Sequence, residues 1–127
     1  MSILVNKAIA KILNNSVPLK NKVGNNIYAL VASENCTFPF VVFKRNNMTV
    51  EYNKDGVAHN IVDVQVIIGA DSYADSVEVA QIVRSELELK KGVYNGVKII
   101  DSKITSVEED YVNNSFAQSI IFSIKTE

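Results

Sequence analysis

The sequence predicts an α+β fold: a mainly antiparallel sheet of about four to five strands packed by two helices, in the order α-β-β-β-α-β-β. Three observations carry that reading. Phe38 to Ile68 reads as strand, tight turn and strand, and it passes at once into a helix-start signal at Asp71-Ser72. The chain then closes with two further runs of strand character. No internal repeat, linker or low-complexity segment interrupts the order, so residues 1–127 are expected to form a single domain.

The elements follow from local chemistry. Ile3, Leu4, Ala8, Ile9, Ile12 and Leu13 recur at helical spacing, with Asn6, Lys7, Lys11 and Asn14 opposite, which makes an amphipathic helix. Asn14-Asn15-Ser16 ends it, and Pro18 suits the first turn of a short second helical piece through Val23. Gly24-Asn25-Asn26 turns the chain into a short strand, Ile27 to Val31, and Ala32 to Thr37 is a polar loop. Pro39 stands at the start of the next strand, where its missing N–H costs least. Phe40 to Phe43 is apolar on both faces and the pattern becomes mixed from Lys44 onward, which predicts a bend or bulge near Asn46-Asn47 before Met48 to Tyr52. Asn53 to Gly56 has the residues a hairpin turn requires, and Val62, Val64, Val66 and Ile68 then alternate with polar residues.

Asp71 or Ser72 can cap the following helix, and Asp75 and Glu78 place negative charge near its positive end. Its expected buried face is Tyr73, Val77, Ala80, Val83, Arg84 and Leu87, and Lys90-Lys91-Gly92 stops it. Strands are expected from Val97 to Val107 and from Ser115 to Lys125. In the second, Phe116, Ile120, Phe122 and Ile124 share a face with Gln118 as the exception.

Composition narrows the function. A chain of 127 residues, 47% hydrophobic and 21% charged, can bury a real core without disulfides or metal. Its net charge of −1, with both signs interspersed, lacks the basic excess by which phosphate neutralisation drives nucleic-acid affinity. Direct DNA or RNA binding is therefore not expected. Cys36 is the only cysteine, so no intrachain disulfide can form, as befits a reducing compartment. No apolar run reaches the length of a signal peptide or a membrane span, and a cytoplasmic site of synthesis without membrane attachment is expected.

No catalytic motif emerges. Cys36 in a predicted loop and His59 in a predicted strand have no spacing that suggests a metal site or a nucleophile pair, so they read as a semi-buried filler and a surface residue beside a turn. Glu108-Glu109-Asp110 could serve acid–base work or hold a hard cation. Consecutive residues in extended chain point apart, however, and a solvated hairpin tip is the simpler account. Lys44-Arg45 and Lys90-Lys91 fit a strand edge and a helix end. Gly92-Val93-Tyr94-Asn95-Gly96 lacks the spacing of a phosphate loop. No enzyme, cofactor or metal is expected.

The order of elements resembles the tail-completion, or tail-terminator, family of long-tailed bacteriophages and prophages. The resemblance covers almost the whole chain. It is carried by the N-terminal helix, Asn26-Ile27-Tyr28, Phe38-Pro39-Phe40-Val41-Val42-Phe43, Val64-Gln65-Val66-Ile67-Ile68, Ser72-Tyr73-Ala74-Asp75, Ile82-Val83-Arg84 with Leu87, the acidic run, Tyr111 and the last strand through Phe122. Two departures touch subfamily: Ile68-Gly69-Ala70 lacks an aromatic residue, and Asn25-Asn26 replaces the usual glycine and basic residue.

The resemblance implies a non-enzymatic virion-assembly protein. Such proteins form a ring, typically a hexamer, on the head-proximal end of the tail, stop tube polymerisation and offer a docking surface to the head. The implied partners are further copies of the chain, the major tail tube protein and a head completion or connector protein. Assembly takes place in the host bacterial cytoplasm. The long hairpins are the natural contact elements, and the candidate interface residues on them are Lys44, Arg45, Tyr52, Asp55, Glu108, Glu109 and Tyr111. Two other readings fit the same elements: a head–tail connector or minor tail component, and, from a different class, a small ligand-binding regulatory domain.

Overall fold

The computed structural model describes residues 4–127, so the predicted apolar contact of Ile3 lies outside the described residues. Helix α1 spans Val5–Asn14 and buries Val5, Ala8, Ile9, Ile12 and Leu13, the stripe its periodicity predicts. Helix α2, Val17–Val23, starts at Ser16, whose hydroxyl accepts from the Leu19 N–H at 3.3 Å, and it carries Pro18 in its first turn. Strand β1 is Ile27–Ala29, shorter than expected because Leu30 turns out of the strand at a φ of 69°. Strands β2, Phe40–Asn53, and β3, Gly56–Ala70, form a long hairpin. Helix α3 covers Tyr73–Leu87, and strands β4, Gly92–Tyr94, β5, Val97–Val112, and β6, Ser115–Thr126, complete the chain.

The α+β class and the antiparallel character hold, with two corrections. Among the described residues the sheet has six strands, in the order β1-β2-β3-β6-β5-β4, rather than four to five, and the short helical piece expected through Val23 counts as a third helix beside the two of the predicted order. The β1–β2 pair is parallel, with Ile27 opposite Val41 and Ala29 opposite Phe43. All other neighbours are antiparallel. The additional strand is β4, three residues beside Val97–Ile99, too short to leave a periodic signal. The break predicted near Asn46-Asn47 is a bulge: the register shifts between Arg45 and Asn47.

One face of the sheet carries the core. Val62, Val64, Val66 and Ile68 of β3 and Ile120, Phe122 and Ile124 of β6 are buried there with α1, α2 and α3. Helix α3 is rotated from the expected face. It buries Ser76, Val79, Val83 and Leu87, while Tyr73 and Val77 are exposed. Ser76 is small and its hydroxyl donates to the Tyr73 carbonyl at 2.7 Å, so a polar side chain sits at the contact without an orphaned group. The opposite face is half-buried and polar at its centre. Gln65 Nε2 donates to Ser119 Oγ at 2.8 Å, and Asn46 Nδ2 donates to Gln65 Oε1 at 3.1 Å.

Candidate functional site

The two hairpin turns lie at opposite ends of the sheet, but only the β2–β3 hairpin extends past its neighbours; the β5–β6 hairpin, expected to reach past the core, ends one residue beyond the last β3–β6 pair. Strand β6 ends beside Asn60, where it pairs through Thr126, so the β2–β3 hairpin beyond Glu51 and His59 reaches past it. Its turn is Lys54-Asp55, with the Asp55 N–H donating to Asn53 Oδ1 at 2.9 Å and Gly56 at a φ of 120°. At the other end β3 stops at Ala70 opposite Phe116, just before α3, and the β5–β6 turn is Asn113-Asn114. Both asparagines have positive φ, 51° and 62°, as a two-residue hairpin turn requires.

The predicted interface residues divide between these ends. Lys44, Arg45, Tyr52 and Asp55 lie on the β2–β3 hairpin, and Tyr52 is 73% exposed. Glu108, Glu109 and Tyr111 are exposed on β5. The structure gathers each group within one hairpin and does not bring the two groups together in one chain. The acidic run also needs correcting: it is strand, not hairpin tip. Ladder pairs Glu108–Ser119, Glu109–Gln118 and Asp110–Ala117 hold it extended. Its polarity made it read as a turn.

Around Glu109 the structure adds a feature the sequence did not signal. Tyr73 donates its hydroxyl to Glu109 Oε2 at 2.9 Å. Gln118 Nε2 donates to the same carboxylate oxygen at 3.3 Å and to Ser76 Oγ at 3.3 Å. With the Ser76 hydroxyl on the Tyr73 carbonyl, the hydrogen bonds close a circuit that begins and ends at Tyr73. The hydrogen bond to Glu109, and then its charge, hold the Tyr73 phenol above its ordinary pKa. The Phe116 ring lies edge-on to Tyr73 with centroids 6.1 Å apart and against Tyr111 at 4.8 Å. Gln118, the sequence's exception on an apolar face, was the one visible hint.

These residues line an open pocket of about 270 Å³, below the usual range of small-molecule sites. Among the described residues, no group of three or more His, Cys, Asp or Glu is placed to hold a metal ion. Cys36 is a half-buried free thiol in the β1–β2 connection. His59 is half-buried in β3 rather than a surface residue, with its Nδ1 shielded from solvent and without a hydrogen-bond partner. No helix is long and apolar enough to cross a membrane among the described residues.

Both sheet margins are only partly covered. Strand β1 flanks β2 at Val41–Phe43, and β4 flanks β5 at Val97–Ile99, with the Leu89 N–H on the Ser102 carbonyl just beyond. No described strand lies along β2 from Lys44 to Asn53, nor along the outer side of β5 from Lys103 to Val112. Long uncovered strand margins are templates for pairing with another chain.

Comparison with known proteins adds to this. A scan against protein-family models finds no match, and neither does a search of curated protein sequences. Among solved structures, the fold matches a chain in the virion of a native gene transfer agent particle. The TM-score is 0.84 and the identity 16%, over 94% of this chain and 92% of the other. At that identity the likeness is one of fold.

Proposed function

We propose that this chain is a structural virion protein, and specifically a tail terminator: an oligomeric ring on the head-proximal end of a phage or prophage tail. There it stops tube polymerisation and offers the surface on which the head docks. It works by assembly rather than catalysis, and its partners are its own copies, the major tail tube protein and a head completion or connector protein. The supporting observation is the near end-to-end fold match with a chain of a phage-like virion particle. The family resemblance of the sequence supports the finer assignment. So does the geometry, since a ring subunit needs two unlike margins and this sheet has them. Assembly takes place in the bacterial cytoplasm, and the finished protein resides in the virion.

The test is negative-stain imaging of the purified chain mixed with the major tail tube protein of the same phage or prophage. Rings seated on one end of each tube are expected. Tubes that keep growing at both ends, with no bound density, would remove the terminator reading and favour a connector or minor tail component.

A further inference from the structure

We propose that copies of this chain join edge to edge, the Lys44–Glu51 margin of β2 in one pairing antiparallel with the Lys103–Asp110 margin of β5 in the next. The proposal rests on the ring reading above and specifies how its subunits meet.

The strand directions permit it. Passing from β2 through β3 and β6 to β5, every neighbour is antiparallel, so β2 and β5 run in opposite directions. Copies related by rotation about one axis therefore meet as an antiparallel pair, and the sheet continues without reversal from subunit to subunit.

Charge and face then select one register. Placing Lys44 opposite Asp110 and Arg45 opposite Glu109 brings Glu51 opposite Lys103 once the bulge at Asn46 and the register shift at Thr105 are counted. All three pairs are of opposite sign. Each also joins residues of the same sheet face. Lys44 and Asp110 lie on the face away from the helices, aligned with Gln65 and Ala117, while Arg45 and Glu109 lie on the helix face, aligned with Val64 and Gln118. Between them Met48 meets Val107, an apolar pair whose Val107 is 56% exposed in the single chain. Lys103 has an exposed ion pair with Asp101 at 3.3 Å, which is weak enough to exchange for Glu51. Pairing two β5 margins would bring two acidic runs together, so like charge opposes the symmetric alternative.

The implied geometry is that of a closed sheet. Val107 is level with Phe43 through Ile120 and Val66, and the proposed register moves it to Met48. Allowing for the bulge, the shift is about four residues, or about 13 Å, across four strands spanning about 19 Å. That corresponds to a strand tilt of about 35°, which falls in the range closed sheets adopt.

The test uses the full chain with Cys36→Ser, Thr49→Cys and Ser106→Cys. The last two are cross-strand partners in this register and lie on one face. Oxidation at about 1 mM subunit is followed by non-reducing electrophoresis and mass photometry, because cross-strand Cβ atoms come within disulfide reach. A ladder of covalent oligomers ending in one closed species is expected. It should be lost with either single cysteine and fall at least tenfold when Ser106→Cys is replaced by Glu108→Cys. Lys44→Asp should cut the yield at least tenfold, and Asp110→Lys in the same chain should restore it. Rings without cross-links would overturn the edge pairing and leave the ring reading standing. A ladder with no closed species would uphold the pairing and overturn the ring. Monomers alone would overturn both.

Discussion

The Tyr73 hydroxyl of α3 donates to the Glu109 carboxylate of β5 at 2.9 Å, fastening the start of the helix to the acidic margin of the sheet. It joins an exposed aromatic ring to the strand on which the proposed assembly depends.

A pH dependence follows from that contact. Glu109 raises the Tyr73 pKa, so the folded state favours the protonated phenol. The stabilisation is fully present below the ordinary tyrosine value of about 10 and is lost as pH rises through the higher folded value. Glu109→Gln removes the charge and should lower the Tyr73 pKa towards normal. Selective ring labelling and NMR titration would separate Tyr73 from the other tyrosines, and an unchanged Tyr73 value in the variant would refute the contact.

Gly69 and Phe40 make a second, local prediction. They face each other across β2 and β3, and a Cβ built on Gly69 would stand 2.4 Å from Phe40 Cζ. Gly69→Ala should therefore displace the ring and destabilise the fold by roughly 1 kcal/mol, as overpacking does. In a Phe40→Ala background the same change should cost much less. Urea unfolding of the double-mutant cycle reads this out, and equal costs in both backgrounds would show that the ring is not what Gly69 accommodates.

The rotation of α3 is testable by contrast. Phe122 is fully buried beneath the helices, whereas Val77 is 42% exposed despite its apolar side chain. Phe122→Ala should cost about 3–5 kcal/mol. Val77→Ala should change stability by less than about 0.5 kcal/mol. Urea midpoints at constant slope would compare them, and similar losses would restore Val77 to the core.

The features legible in the sequence are those with a strong local cause. The alternation of Val62 to Ile68 marked the inner face of β3, and the mixed pattern after Lys44 in β2 marked the bulge at Asn46. Pro18, and Asp71 or Ser72 before Asp75, marked two helix starts, while the capping role of Ser16, read as part of the first helix's end, appeared only in the structure. What stayed hidden depended on tertiary pairing. Glu108 to Val112 looks like a loop because it is polar, yet β6 holds it extended as a margin strand. Helix α3 chose Ser76 over Tyr73 because a small residue lets the helix lie close to β6, a preference that hydrophobicity alone reverses. The hairpins were legible as turns. Their placement at opposite ends required the strand order.

The central claim is that this chain ends tail growth, and tail length tests it most directly. Particles assembled in a host whose phage or prophage lacks this gene should carry tails of variable, excessive length without heads attached. Complementation with the intact gene should restore one length and head joining. Tails of normal, uniform length bearing heads in the absence of the protein would contradict the account.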